Sequence, residues 1–212
     1  MRLDLYVITD SNLSRGRSHV QVASEAIRGG ATVIQLRDKH AEGRDLLETG
    51  RALRGLTREA GVLFIVNDRV DVAIAVEADG VHVGQQDLPA AVVRRLVGPK
   101  MILGVSAANV PEARQAKADG ADYLGVGAVF ATSTKSDAGA PVGTEILAEI
   151  RREAGLPLVG IGGINMHNAA EVIRQGADGV AVISAVVSAP DIAQATAALM
   201  AIVEEAKRQR ES

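Results

Sequence analysis

Cysteine and tryptophan are absent from this 212-residue chain, and aromatic residues make up only 2% of it. Without cysteine there can be no disulfide, no thiolate nucleophile, no cysteine-bound zinc and no thiolate-held iron–sulfur cluster. That composition also fits a reducing compartment. So few aromatics argue against the stacking platforms that hold single-stranded nucleic acid. A basic excess is missing too: 23 Lys and Arg against 26 Asp and Glu leave a net charge of −3. No global field then attracts nucleic acid or an anionic membrane, and any anionic ligand must be held by local groups. Long hydrophobic runs are lacking. The longest apolar stretches, such as Gly179–Val187, are too short to span a bilayer. The first residues, MRLDLYVITD, enter a strand pattern without the apolar core and small-residue cleavage site of a signal peptide. A cytoplasmic protein without nucleic-acid or membrane partners is expected.

What the chain does contain is aliphatic. Hydrophobic residues are 47% of it, mostly Val, Ile, Leu and Ala, the material of a buried parallel sheet covered by helices. Short apolar runs alternate with amphipathic ones from end to end. The runs are Leu5–Thr9, Thr32–Arg37, Leu63–Asn67, Gly80–Gly84, Met101–Ser106, Tyr123–Val129, Leu158–Gly163 and Gly179–Ser184. Between them, DLLETGRALRGLTREAG sets Leu46, Leu47, Leu53 and Leu56 near one face with charges opposite. NAAEVIRQGAD and PEARQAKADGAD carry the Gly that stops a helix. A weak repeat precedes every second run: GATV at Gly30, ADGV at Ala78, GADY at Gly120 and GADGV at Gly176. Recurrence of this kind points to repeated β/α units. Eight such units without a linker predict one compact (β/α)8 TIM barrel over residues 1–212, shorter than the typical ~250 residues. The competitor, a doubly wound open sheet, lacks its fingerprint, because the first strand ends in TDSNLSRGR with no G-x-G-x-x-G.

Barrel sites form at the C-terminal ends of the strands. The second strand delivers Gln35, Arg37 and Lys39 there; the third, Asn67 and Asp68; the fourth, Asp87; the fifth, Ser106. The sixth leads into Thr132, Ser133, Thr134 and Lys135, the seventh ends in Gly162-Gly163-Ile164, and the eighth in Ile183-Ser184. A Gly-Gly turn after strand seven and a hydroxyl opening a short helix after strand eight match the usual phosphate cradle of such barrels. Glycines of this kind also occur for backbone reasons alone. Asp68 and Asp87 follow neighbouring strands and can converge on Mg²⁺, which takes one or two carboxylates plus phosphate oxygens. Each could equally cap the helix that follows it. Arg37, Lys39 and Lys135 on the same face favour a metal–diphosphate site. The histidines weigh less: His19 and His167 stand near helix starts, His40 is in a loop, and His82 within a strand reads as a packed, hydrogen-bonded residue. No pair has zinc-helix spacing, and neither a nucleophile elbow nor a P-loop occurs. Ser106 has no obvious base in sequence, so a hydrogen-bonding role suits it. The site is equipped to bind anions, as suits a reaction in which a diphosphate departs.

VIQLRDK, IVNDRVDVAIAVEADGVHVGQQDLP, GVGAVFATSTKSDAGAPVG and LVGIGGINMHNAAEVIRQGADGVAVISAV together resemble the thiamine phosphate synthase family, in order and along nearly the whole chain. The resemblance implies a TIM-barrel transferase joining 4-amino-2-methyl-5-hydroxymethylpyrimidine diphosphate to 4-methyl-5-(2-phosphoethyl)thiazole, with release of pyrophosphate. By motif it gives Gln35, Arg37, Lys39, Asn67, Ser106 and Lys135 to the pyrimidine diphosphate, with Arg37, Lys39, Ser106 and Lys135 assisting its departure. It gives Mg²⁺ to Asp68 and Asp87, and the thiazole phosphate to Thr132, Thr134, Gly163, Ile183 and Ser184. It further implies a pyrimidine carbocation captured by the thiazole nitrogen, a step that needs no strong base. The strand-six motif in that family often reads Gly-Pro-[Ile/Val]-Phe-Pro-Thr; Ala128 and Ala131 stand here in place of the prolines, which implies altered loop stiffness. The loop from Val129 to Gly143 is expected to join the two substrates and to fold over them. A related thiazole tautomerase is an alternative, but it would carry a histidine near strand six, where this chain has Ala128. A silent phosphate-sensing barrel is another, although such proteins shed charged strand-end residues. Coiled-coil heptads are missing, and a homo-oligomer stays open.

Overall fold

The computed structural model describes residues 1–132, 134 and 140–211. Among these, eight parallel strands close into a barrel in sequence order: β1 (Leu5–Ile8), β2 (Val33–Leu36), β3 (Leu63–Asn67), β4 (Gly80–Val83), β5 (Ile102–Ala107), β6 (Tyr123–Val126), β7 (Leu158–Ile161) and β8 (Gly179–Val182). Closure runs through β8 and β1, with Tyr6 opposite Ala181. The helices are α1 (His19–Arg28), α2 (Gly43–Ala60), α3 (Val70–Ala75), α4 (Ala90–Val97), α5 (Val110–Ala118), α6 (Glu145–Ala154), α7 (Ala169–Arg174), α8 (Ser184–Val187) and α9 (Ile192–Glu211). The expected (β/α)8 architecture is present, and none of the described helices is long and apolar enough to cross a membrane.

Local rules place the helix ends. Ser18 caps α1 reciprocally with Gln21, each side chain satisfying the other's backbone N–H. Gly61 closes α2 at φ 67°, a left-handed conformation that costs glycine little. Leu46 and Leu53 turn into the core from the same face of that helix, as their spacing predicts. Six strands end sooner than the apolar pattern suggests: β1, β2 and β4 by one residue, β7 and β8 by two, and β6, at Val126 rather than Val129, by three. β7 stops at Ile161 because Gly162 and Gly163 take φ of 99° and 65°, outside the extended region. β8 stops at Val182, and Ser184 already opens α8.

The repeat before the even-numbered strands has a physical basis. Thr32 Oγ1 accepts the Leu5 N–H, while the Thr32 N–H donates to the Leu5 carbonyl. Asp122 makes the same two-bond ring with Leu103, and Asp178 with Leu158. Asp79 accepts the Phe64 N–H at 2.8 Å. In each case a side chain supplies an acceptor to a strand-entry amide. The three aspartates each also pair with an arginine of the helix that leads into the clamped strand: Arg54 of α2 with Asp79, Arg94 of α4 with Asp122 and Arg151 of α6 with Asp178. Four related clamps thus close the N-terminal end of the barrel, leaving the other end for chemistry.

Candidate active site

A cavity of about 500 Å³ opens at the C-terminal ends of the strands. One wall carries Arg37, Lys39, Asn67, Asp68, Asp87 and Ser106, drawn from the ends of β2, β3, β4 and β5. The opposite wall carries Thr132, Thr134, Gly162, Gly163, Ile183 and Ser184, from the ends of β6, β7 and β8. These sets are far apart in sequence and meet only because the barrel closes. Lys135 and Ser133 lie outside the described residues, as does the middle of the loop, residues 135–139.

Arg37 is held in place. Its Nη1 donates to Asp10 Oδ2 at 3.0 Å, and both side chains are about nine-tenths buried. Asp10 Oδ1 accepts the backbone N–H groups of Asn12 and Leu13, so the carboxylate is itself anchored. A buried pair with this many hydrogen bonds gives the guanidinium one direction. Asp10 ends the first strand motif YVITD, and applying the strand-end rule to that strand would have found it. Beside it, His19 bridges Thr9 Oγ1 at 2.7 Å and Asp38 Oδ2 at 3.2 Å. Burial pushes the Asp38 carboxyl up, but hydrogen bonds from the His40 amide, His19 and Ser11 outweigh it and hold the group below the usual carboxylate range.

The two acidic candidates are not helix caps. α3 has Arg69 at its cap position and α4 has Pro89. Asp68 takes φ 58°, a left-handed conformation that Asp tolerates better than most residues, and its N–H donates to the His82 carbonyl at 2.8 Å. Asp87 Oδ2 accepts the Gly84 N–H at 2.7 Å. Both line the same cavity. Among the described residues no cluster of three or more His, Asp or Glu could hold a metal. Carboxylate oxygens are nevertheless the hard donors that Mg²⁺ takes alongside phosphate oxygens, so the two residues fit such an ion.

The opposite wall is built on backbone. A Cβ on Gly162 would lie 2.6 Å from Ala128 Cα, and one on Gly163 2.6 Å from the Ala131 carbonyl oxygen. Only glycine satisfies both the positive φ and this approach. The Gly163 carbonyl accepts from the side-chain amides of Asn165 and Asn168, which fixes the turn. The loop after β6 is tied to it: the Val129 N–H donates to Ile161 and the Phe130 N–H to Gly162. Its returning end is tied as well, with Val142 donating to Ala128 and Gly143 to Val129. Thr134 Oγ1 donates to Ser184 Oγ at 3.3 Å, which joins the loop to the start of α8.

Gln35 is the residue the structure does not bring to the wall. It is 2% exposed, sits on β2 two residues below Arg37, and is not among the cavity-lining residues. Its Nε2 donates to the Tyr6 hydroxyl at 2.8 Å. His82, expected as a packed strand residue, is hydrogen-bonded but also lines the cavity, with Nε2 2.9 Å from Ser106 Oγ. Its location midway along β4 hid this role, since periodicity does not say which strand neighbours are glycines. Gly104 and Gly125 leave the room that its ring occupies: a Cβ on either would press on the imidazole. Glu112 also borders the cavity, but both its carboxylate oxygens are used by Ala108 and Asn109 at the start of α5.

Known proteins are similar over nearly the whole chain. The family model described as thiamine monophosphate synthase matches residues 5–186. The thiamine-phosphate synthase of Moorella thermoacetica is 58% identical over 204 residues, covering 96% of this chain and 97% of that one. That of Chloroflexus aurantiacus is 61% identical over 199 residues, covering 94% and 92%. The solved structure of a thiamine phosphate pyrophosphorylase from Pyrococcus furiosus superposes with a TM-score of 0.90 at 49% identity, covering 97% of each chain. With the barrel, the paired walls of the cavity and these likenesses together, the chain belongs to the thiamine monophosphate synthase family.

Proposed function

We propose that this chain condenses 4-amino-2-methyl-5-hydroxymethylpyrimidine diphosphate with 4-methyl-5-(2-phosphoethyl)thiazole to give thiamine phosphate and pyrophosphate. The observation that carries this reading is the two-walled cavity, cationic and acidic on one side and glycine- and hydroxyl-lined on the other. Arg37, Lys39, Asn67 and Ser106 bind the diphosphate, joined by Lys135 from the loop. Asp68 and Asp87 would hold Mg²⁺, which supplies charge neutralisation to the leaving group when bound. Thr132, Thr134, Gly163, Ile183 and Ser184 hold the phosphate of the thiazole, so that its nitrogen faces the pyrimidine methylene. As the diphosphate departs, Arg37 meets growing negative charge without having to reorient, because Asp10 already fixes it. The nitrogen lone pair then captures the pyrimidine cation, and no proton need be removed from the nucleophile. Gln35 enters this scheme from below the wall. A cytoplasmic setting belongs to the reading and rests on the cysteine-free composition.

The test is direct. Purified protein given both substrates and Mg²⁺ should form thiamine phosphate and pyrophosphate in equal amounts, and chelation should stop the reaction. Pyrophosphate release without thiamine phosphate, or no product at all, would overturn the assignment.

A further inference from the structure

A continuous hydrogen-bond chain crosses the barrel from beneath the cavity to its wall. Gln35 Nε2 lies 2.8 Å from the Tyr6 hydroxyl, which lies 2.9 Å from that of Tyr123. The Tyr123 hydroxyl lies 3.0 Å from His82 Nδ1, and His82 Nε2 lies 2.9 Å from Ser106 Oγ. Both tyrosines are fully buried, and they are the chain's only two.

Donor counting gives this chain a direction. An amide nitrogen can only donate, so Tyr6 accepts from Gln35. The single hydrogen of Tyr6 then goes to Tyr123, and that of Tyr123 to His82 Nδ1. A neutral imidazole that accepts at Nδ1 carries its proton on Nε2 and donates it to Ser106 Oγ. The Ser106 hydrogen is left to point into the cavity. Reversing the amide of Gln35 would reverse the whole row. Gln35 Oε1 is, among the described residues, the one buried side-chain N or O without a partner. Exchanging the two atoms would strand N–H donors in that place, and a buried orphan N–H is the rarer defect. Burial also pushes both tyrosine hydroxyls well up, Tyr6 and Tyr123 alike, so each keeps its hydrogen at neutral pH.

We propose that Tyr6 and Tyr123 are positioning residues that lock His82 as the Nε2–H tautomer and thereby make Ser106 a hydrogen-bond donor into the cavity. His82 is then not a base for Ser106, and the pair is no nucleophilic dyad despite its 2.9 Å separation. A developing anion meets a hydroxyl whose hydrogen is already directed at it. The influence on turnover rests on the synthase reading; the tautomer does not, so the two fail separately.

The first measurement is two-bond ¹H–¹⁵N NMR of ¹⁵N-histidine-labelled protein at neutral pH, with the His82 signals assigned by their loss in His82→Gln. The expected result is an unprotonated Nδ1 and a protonated Nε2. An Nδ1–H tautomer, or an imidazolium, would overturn the proposal in the unmutated protein, independent of any variant's folding. Tyr123→Phe removes the donor to Nδ1: the tautomer preference should weaken and kcat should fall about tenfold, with KM changing less. Tyr6→Phe removes the bond that directs the Tyr123 hydrogen but leaves Tyr123 able to donate to His82, so the tautomer preference should weaken less there and kcat should fall by a smaller factor. Equal losses in both variants with an unmoved tautomer would reduce the tyrosines to packing and refute the positioning role.

Discussion

Replacing Asp178 by alanine tests the clamp that recurs at the strand entries. The carboxylate does two jobs. Its Oδ2 accepts the Leu158 N–H at 3.0 Å, and both oxygens accept from Arg151 Nη1 at 2.9 and 2.8 Å. Leu158 is fully buried, so its amide loses its partner in Asp178→Ala, at a cost of about 1–3 kcal/mol. The ion pair adds little, because the Arg151 side chain is 45% exposed and such pairs give ~0–1 kcal/mol. A total near 2 kcal/mol should lower Tm by roughly 4–8 °C in a domain of this size. Asp178→Asn keeps an oxygen acceptor and loses only the charge, so it should cost under about 1 kcal/mol. Thermal unfolding followed by circular dichroism measures both. The clamp sits at the end of the barrel opposite the cavity, so kcat should not change in either variant. If asparagine destabilises as much as alanine, the charge rather than the amide acceptor matters and the reasoning is wrong.

Other outcomes follow from the same geometry. Asp10→Asn leaves Arg37 opposite a neutral partner, and kcat/KM for the pyrimidine diphosphate should fall about tenfold; an unchanged value in steady-state kinetics would free Arg37 from this dependence. Gly163→Ala combines φ 65° with a Cβ 2.6 Å from the Ala131 carbonyl oxygen, a strain of about 1–3 kcal/mol; KM for the thiazole phosphate should rise more than KM for the diphosphate, and equal changes would contradict the two-wall assignment. At high pH, Tyr6 and Tyr123 stay protonated in the folded state while unfolded tyrosine ionises near pH ~10. Their contribution is therefore complete below that pH and is lost as pH rises through the elevated folded values. Tyrosinate absorbance should appear together with loss of helical signal; ionisation of either tyrosine in the intact fold would refute the buried pair.

Much of the barrel is legible in the chain because its signals are local. Strand runs are short and aliphatic, helix faces repeat, and Gly61, Gly120 and Gly176 mark helix ends at positive φ. The strand-end rule then names most of the cavity wall, since closure of a parallel barrel brings every C-terminal end to one rim. It fails where neighbours decide. Gln35 and Arg37 look equivalent in QLR, yet the barrel puts one beneath the wall and the other in it. Asp10 stands at a strand end like the others, but its task of anchoring Arg37 follows only from the pairing of β1 with β2.

The sequence by itself determined the alternation of elements, the absence of thiol chemistry and a rim rich in anion-binding groups, because each depends on residues near one another in the chain. Only the tertiary structure decided which hydroxyl donates and which accepts. Tyr6, Gln35, His82, Ser106 and Tyr123 come from five strands, and the direction of a hydrogen bond between any two depends on what holds the next.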